Sequence, residues 1–263
     1  MEIYDLQILL TNDDGIYAPG LAAMERQLRR LGHVTAVAPL TEQSGVGHAI
    51  TYLTPLMARE VYDDDSRQRG WAVEGSPADC VKLAIAELCP RRPELVVSGI
   101  NGGLNAGINV LYSGTVAAAI EGAFFGITSI AVSLEFDDDA RFDLAAQQAA
   151  AIIKQILTHK DPEPQLYNLN IPTAALDGGA EVRVVPAATA PWGEDFEKRL
   201  DPRGRPYYWA TGLQPDPPSD EETDLKALQA GHISLTPLKF DLNLRDKLTE
   251  MQSWQFGQVE QTR

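Results

Sequence analysis

The start of the chain reads as a strand, a helix and a second strand, and this order constrains the fold more than any other feature. The apolar run 6–10 predicts a buried strand, and the apolar residues of 20–31 recur at helical spacing before Gly32. Residues 34–39 predict a second buried strand. Two strands joined by a helix within about 35 residues form a parallel crossover unit. We therefore predict an α/β fold with a mostly parallel sheet.

The alternation of strands and helices continues along the chain. A helix from residue 77 is favoured by Ser76 as N-cap and by Pro77 at the first helical position. After residue 50 the sequence predicts a hairpin within 50–75, helices over 77–88, 116–125 and 143–157, and strands over 95–97, 129–134, 167–171 and 182–185. These elements are sufficient for one large α/β domain with a full hydrophobic core.

The pattern changes after residue 185, so we divide the chain into an α/β catalytic core over 1–185 and a dependent C-terminal extension over 186–263, which we expect to form an extended arm or hairpin, a returning strand and a tail. Proline, glycine and charge dominate 186–231, which shows neither helical nor strand periodicity. Such a segment is usually functional, disordered or packed on another subunit, and its aromatic residues favour an ordered arm. Within the extension we note an aromatic patch at 207–209, an acidic run at 216–224, a returning strand at 233–238 and a closing helix or tail at 242–254.

Composition excludes several classes of function. The formal net charge is −15, so nucleic-acid polymers would be repelled, whereas a small anionic substrate is compatible if a bound cation reverses the local potential. Cys80 and Cys89 lie nine positions apart in one predicted helix and point to opposite faces, which indicates a reducing compartment. No basic leader and no apolar run of about 18 residues is present. We expect a cytoplasmic protein without a membrane partner.

Two adjacent carboxylates, Asp13 and Asp14, directly follow the first strand. The loops after the second and third core strands carry Ser44 and Asn101. Carboxyl ends of parallel strands share one edge of a sheet, so these four oxygen-bearing side chains are expected to converge. Such ligands suit Mg²⁺, Mn²⁺ or Ca²⁺, and the scattered histidines argue against zinc. The alternative, equally weighted on residues 12–15 alone, is a turn with a helix N-cap.

The second candidate feature is a phosphate-binding site, called the phosphate seat below. A glycine-rich loop over 98–107 follows the third core strand, and Ser113, Gly114 and Thr115 lead into the predicted helix 116–125. Backbone N–H groups of such loops and of helix N-termini bind anions. Ser113 as a simple helix cap is the alternative. His48 lies near this site in sequence, but a lone histidine is more often structural, and no role is assigned to it.

Other catalytic motifs do not fit the spacing. The glycine run at 45–50 places Ile50 where a dinucleotide fingerprint needs a third small residue. The sequence contains neither a P-loop nor the nucleophile elbow of an esterase. Its acids are adjacent, whereas phosphatases with an aspartyl intermediate space them as Asp-x-Asp. An NAD-dependent oxidoreductase, an NTPase and an esterase are therefore disfavoured.

Several motifs, spread in order over nearly the whole chain, together resemble the SurE family (survival protein E), which are 5'/3'-nucleotidases. They are LLTNDDGIYAPGL at 9–21, APLTEQSGVGHAIT at 38–51, GSPADCV at 75–81, VVSGINGGLNAG at 96–107, LYSGT at 111–115 and DPRGRPYYW at 201–209. The resemblance implies a Rossmann-like three-layer sandwich and a phosphatase of nucleoside monophosphates, with some members also trimming short polyphosphate. It further implies a homodimer or homotetramer formed by exchange of the C-terminal arm.

The resemblance also implies one divalent metal ion per subunit, Mg²⁺ or Mn²⁺, held by Asp13, Asp14, Ser44 and Asn101. The chain departs from the family at two places. Gly102 stands where a larger, often basic, residue is usual, and Ile108 and Asn109 replace an acidic pair. Because a lost cation near phosphate removes a charge-assisted contact, substrate affinity or preference is expected to differ.

From these residues we hypothesise a mechanism without a covalent intermediate. The bound cation polarises a phosphoryl oxygen and activates a water, while Asn105, Ser113 and Thr115 hold the remaining phosphate oxygens. One alternative makes Asp13 a nucleophile or general base. A different class of function is a metal-dependent protein that binds nucleotide without turning it over.

Overall fold

The protein is described by a computed structural model that covers residues 6–189, 195–211 and 222–254. Its strands are β1 (Leu6–Thr11), β2 (Gly32–Pro39), β3 (Ala58–Tyr62), β4 (Gln68–Val73), β5 (Leu95–Gly102), β6 (Thr128–Leu134), β7 (Leu166–Ile171), β8 (Val182–Val184), β9 (Phe196–Leu200), β10 (Pro206–Ala210) and β11 (Ile233–Leu238). Its α-helices are α1 (Pro19–Leu28), α2 (Pro77–Leu83), α3 (Gly114–Phe124), α4 (Phe142–His159), α5 (Asp224–Gln229) and α6 (Arg245–Gln252).

One central sheet organises the molecule, with the strand order β3-β4-β2-β1-β5-β6-β7-β11-β8. Every neighbouring pair is parallel except β3 with β4 and β11 with β7. The predicted mostly parallel α/β fold is confirmed. The chain leaves β1 toward β2 and later returns on the other side of β1 as β5, so β1 and β5 flank a topological switch point. Ligands of open α/β sheets bind at such points, beyond the carboxyl ends of the strands.

Helices cover both faces of the sheet, which gives the predicted three layers. Helices α1 and α4 pack together on one face, and α2 and α3 pack together on the other. Strand β1 is buried on both sides, since Ile8 and Leu10 join the core under α1 and α4 while Leu9 joins the core under α2 and α3. An apolar strand without alternation is typical of a central parallel strand.

Several element boundaries differ from those predicted. The first helix ends at Leu28, because Leu31 already leads into β2. The predicted helix 77–88 consists of α2 followed by a π-helical turn over Ala84–Leu88. The closing segment 242–254 contains only the short helix α6. Cys80 is buried and Cys89 partly buried, and both thiols are free. Within the described residues, no helix combines the length and the apolar character needed to cross a membrane.

The C-terminal extension contributes to the central sheet. Strand β11 lies between β7 and β8, so the sheet is not complete at residue 185. The segment 186–231, which lacks helical and strand periodicity, contains the antiparallel β9–β10 hairpin and the helix α5. Every residue of β9 and β10 is exposed. Without a buried face, the hairpin has no need for alternating apolar residues, which explains its missing periodicity. The acidic run 216–224 lies mostly outside the described residues.

Candidate active site

The acid pair lies in the turn that follows β1. Asn12 builds this turn: its Nδ2 donates to the Gly15 carbonyl at 3.0 Å, and the Gly15 N–H donates to its Oδ1 at 3.1 Å. Helix α1 begins after Ala18, which makes no side-chain capping bond. The helix-cap alternative is therefore wrong for Asp13 and Asp14, and the turn role belongs to Asn12.

Both carboxylates of the pair carry raised pKa values. Burial is the largest cause for Asp13, which is 4% exposed, and hydrogen bonding from Thr115 partly offsets it. Burial, the larger cause, and the neighbouring charge of Asp13 raise the pKa of Asp14 to about 6. A hydrogen bond from the Gly102 N–H acts in the opposite direction and lowers the pKa. A raised pKa means that the charged form lacks compensation. A bound divalent cation would supply that compensation, so the pair fits a cation site.

The loop after β2 approaches the pair through its backbone. The Gln43 N–H donates to the Asp13 carbonyl at 2.8 Å, which brings the next residue, Ser44, beside the turn. The exposed Ser44 hydroxyl donates to Glu42 Oε1 at 2.6 Å. The charge of Glu42 also contributes to the raised pKa of both aspartates. The loop thus adds negative potential as well as a hydroxyl.

The end of β5 approaches Asp14. The Gly102 N–H donates to Asp14 Oδ2 at 3.3 Å, so the preceding residue, Asn101, lies next to the pair in the strand. The Asn101 Nδ2 donates to the Gly103 carbonyl at 2.7 Å, which orients its amide. The acid pair, the Ser44 loop and the end of β5 therefore meet at the switch point, as the sheet topology predicts.

The N-terminus of α3 faces Asp13. The Thr115 hydroxyl donates to Asp13 Oδ1 at 2.5 Å. A Cβ on Gly114 would lie 2.9 Å from the Asp13 Cβ, so only glycine permits this approach. The Ser113 hydroxyl oxygen accepts the Val116 N–H at 3.1 Å, as the capping alternative expects. Accepting this bond leaves the Ser113 hydroxyl proton available as a donor.

Asn105 is not brought to the acid pair by its contacts. It is buried, and its Nδ2 donates to Ser133 Oγ at 2.9 Å. Its N–H donates to Asn170 Oδ1 at 2.8 Å, and its carbonyl accepts from the Asn168 side chain at 2.7 Å. These contacts attach the glycine-rich loop to the sheet, which differs from the expected direct contact with phosphate.

Sequence reasoning missed an ionic cluster in which the buried Glu121 meets His48 of the loop 43–51 and the exposed Lys82. His48 Nε2 lies 2.7 Å from Glu121 Oε2, and Lys82 Nζ donates to Glu121 Oε1 at 3.3 Å. Burial raises the pKa of Glu121, but the hydrogen bonds of His48 and Lys82 outweigh it and leave the pKa below its usual value. The His48 ring also stacks on Phe124. A lone glutamate in the apolar helix α3 was the sequence signal for this cluster.

Within the described residues, no group of three or more His, Cys, Asp or Glu side chains is placed to hold a metal ion. The candidate donor set is of a different kind, since it combines two carboxylates with a hydroxyl and an amide. Oxygen-only sets of this type match the preference of Mg²⁺ and Mn²⁺.

Comparison with known proteins agrees with the sequence motifs. A family model described as "Survival protein SurE" matches residues 8–194. The chain belongs to the SurE family. A protein of Rhodopirellula baltica named 5'-nucleotidase SurE is 60% identical over 250 residues, which cover 95% of this chain and 98% of that protein. A protein of the same name from Heliobacterium modesticaldum is 41% identical, with 96% and 93% covered.

A solved structure extends the similarity to the fold. The crystal structure of the SurE protein from Aquifex aeolicus superposes with a TM-score of 0.81 at 37% identity, covering 94% of this chain and 98% of that one. The sequence predicts departures from the family at Gly102 and at Ile108 and Asn109. Gly102 lies beside Asp14, whereas Ile108 and Asn109 belong to the 3-10 turn Gly107–Leu111.

Proposed function

We propose that this SurE protein is a metal-dependent phosphatase that hydrolyses nucleoside 5'-monophosphates to nucleoside and phosphate. The observation that carries the proposal is the carboxylate pair at the switch point, formed by the buried Asp13 and the partly buried Asp14, with Asp13 facing the N-terminus of α3. The relatives named 5'-nucleotidase SurE support the same reaction at high identity over nearly full length. Nucleoside 3'-monophosphates and short polyphosphate are proposed as further substrates.

A single divalent cation per subunit, Mg²⁺ or Mn²⁺, would be held by Asp13, Asp14, Ser44 and Asn101. When bound, it supplies Lewis-acid polarisation of a phosphoryl oxygen and lowers the pKa of a bound water. The raised pKa values of the two aspartates support this assignment, because a buried pair of like charges favours a cation.

The chain's own groups then bind and orient the phosphate. The Ser113 hydroxyl and the Gly114 N–H lie at the N-terminus of α3, where the helix dipole favours an anion. The Thr115 hydroxyl is engaged with Asp13 and therefore fixes the carboxylate. Asn105 holds the glycine-rich loop through the sheet. In this arrangement a water attacks phosphorus directly, and absence of a trapped phosphoryl-enzyme in a single-turnover experiment is the expected result.

A neighbouring cavity suits the nucleoside part of the substrate. It has a volume of about 270 Å³ and shares Ser113 with the phosphate seat. His48, Ile120 and Phe124 line it, so it offers apolar walls and aromatic rings beside a polar entrance. Small-molecule sites typically combine these properties.

Release of inorganic phosphate tests the proposal. Purified protein should release phosphate from AMP or GMP in the presence of Mn²⁺ or Mg²⁺, and the release should stop when a chelator is added. The chelated sample, restored with excess metal, is the control for irreversible damage. Binding of nucleotide without any phosphate release would instead establish the alternative, a metal-dependent nucleotide-binding protein.

We further propose that the protein is a homodimer or homotetramer that exchanges its C-terminal arm. The β9–β10 hairpin supports this, because its aromatic side chains are exposed in the single chain; Trp209, for example, is 58% exposed. Exposed apolar patches of this kind mark protein interfaces.

Gly102→Arg should tighten substrate binding. A Cβ at this position meets only Phe142 Cζ at 3.8 Å, so a side chain fits without displacing its neighbours. A guanidinium here would lie beside the acid-pair turn and donate charge-assisted hydrogen bonds to phosphate, which should lower KM for AMP by about tenfold. Gly102→Gln is the matched uncharged control. Equal KM values for the two variants would contradict the electrostatic explanation.

A further inference from the structure

A carboxylate outside the proposed catalytic set connects the glycine-rich loop to the C-terminal extension. Asp224, the first residue of α5, is 0% exposed. Its Oδ1 accepts the Ala188 N–H at 2.9 Å and the Leu225 N–H at 2.8 Å. Its Oδ2 accepts the Gly107 N–H at 2.7 Å. A buried charge is tolerated because several donors satisfy it, and here all three are backbone groups.

These bonds join segments that are distant in sequence. Gly107 ends the glycine-rich loop, and Ala188 follows the last strand before the arm. The Asp224 N–H also donates to the Pro186 carbonyl at 2.9 Å. The Asp224 side chain therefore connects the chain before the β9–β10 hairpin, at Ala188, the chain after it, at Asp224 itself, and the end of the glycine-rich loop.

Apolar packing supports the same junction. Leu104, Ala106, Ala188, Leu225 and Leu228 form a small cluster separate from the main cores. Gly107 has a φ of +58°, and a Cβ there would meet the Leu225 side chain at 3.3 Å. The loop is thus held on one side by α5, while its Asn105 is held on the other side by β7.

We propose that Asp224 is a positioning residue for the glycine-rich loop of the site. Its effect on the KM for substrate rests on the proposed phosphatase function, whereas its effect on the mobility of the loop does not. Asp224 does not touch the acid pair in the described contacts; it acts by fixing Gly107, and through it the loop that follows β5 and leads to the phosphate seat.

Asp224→Asn separates this role from simple packing. In the asparagine variant, the N–H groups of Ala188 and Leu225 still require an acceptor, so the amide oxygen takes the position of Oδ1. The NH₂ group then takes the position of Oδ2. Two donors, this NH₂ and the Gly107 N–H, then face each other, and the bond to the loop is lost selectively. We expect amide exchange in 103–109 to accelerate by about tenfold, the effect of one lost hydrogen bond to a charged group.

The experiment combines hydrogen exchange with steady-state kinetics on the full-length protein. We expect faster exchange confined to 103–109, a KM for AMP raised about tenfold, and a kcat and a Kd for Mn²⁺ within about threefold of the original values. Thr236→Val is the matched control, because it removes a buried hydrogen bond from β11 to the Val185 carbonyl and no described hydrogen bond joins Thr236 to the loop. This control should leave loop exchange and KM unchanged.

Unchanged loop exchange in Asp224→Asn would overturn the proposal, as would a uniform loss of protection that the Thr236→Val control shares. If the original protein releases no phosphate, the proposed function fails, and loop exchange alone decides the role of Asp224. Should Asp224→Asn not fold, Gly107→Ala perturbs the same junction from the loop side and is expected to accelerate exchange in the same segment.

Discussion

An Asp13→Asn protein is expected to fold normally and to lose metal-dependent phosphatase activity. The amide keeps the acceptor for Thr115 but removes one of the two charges that bind the cation. Turnover should fall by about a thousandfold, equivalent to about 4 kcal/mol of transition-state stabilisation. Phosphate release from AMP measures the activity, and the shift in melting temperature on adding Mn²⁺ measures binding of the cation. Both the release and the shift should disappear.

Stability without metal is the discriminating measurement. Because burial raises the pKa of Asp13, its carboxylate is unfavourable in the metal-free protein, and a neutral amide should melt at the same temperature or higher. Asp177→Asn is a control, since this exposed carboxylate pairs with Arg141 away from the site. An Asp13→Asn protein that unfolds, while Asp177→Asn does not, would make Asp13 a structural residue of the turn.

Removal of the arm, about residues 192–223, should convert the oligomer to monomers. Most of the described part of this segment is the β9–β10 hairpin, whose strands are exposed at every residue. The residues that flank the segment lie together, because the Asp224 N–H donates to the Pro186 carbonyl and the Asp224 side chain accepts from Ala188, so a glycine–serine linker can replace the segment. Sedimentation velocity measures the outcome.

A second variant separates the aromatic patch from the rest of the arm. Tyr208→Ser with Trp209→Ser keeps the backbone hairpin but removes two exposed rings. We expect weaker association at low protein concentration, because aromatic side chains carry much of the energy of an interface. A truncated protein that still sediments as a dimer would place the subunit contact outside the arm.

The sequence was most informative where burial on two faces leaves a continuous apolar run. Strand β1 and the turn after it were predictable, because the apolar run 8–10 is followed, after Thr11, by Asn12 and the acid pair. The rule that parallel strands end at one edge then predicted that the loops carrying Ser44 and Asn101 meet there. Contacts at Gln43 and Gly102 agree with that convergence.

Other features depend on contacts between distant segments, which no local pattern encodes. Asp224 was seen only as the end of an acidic run, although it is buried by backbone groups from 107 and 188. Asn105 is predicted to bind phosphate because glycine-rich loops often bind anions, and its hydrogen bonds to β6 and β7 were not predictable from that loop. The strands of the hairpin could not be placed from the sequence, since exposure on both faces removes the alternation that predicts a strand.

The insertion of β11 has a consequence for synthesis of the protein. In the described sheet β8 bonds only to β11, and Val182 pairs with Ile233 far downstream. While the ribosome makes the intervening stretch, the nascent chain exposes one edge of β7 and holds β8 without a neighbour. Open edges of this kind invite pairing with other chains. The free edge of β7 is therefore covered only after translation has passed residue 238, the end of β11.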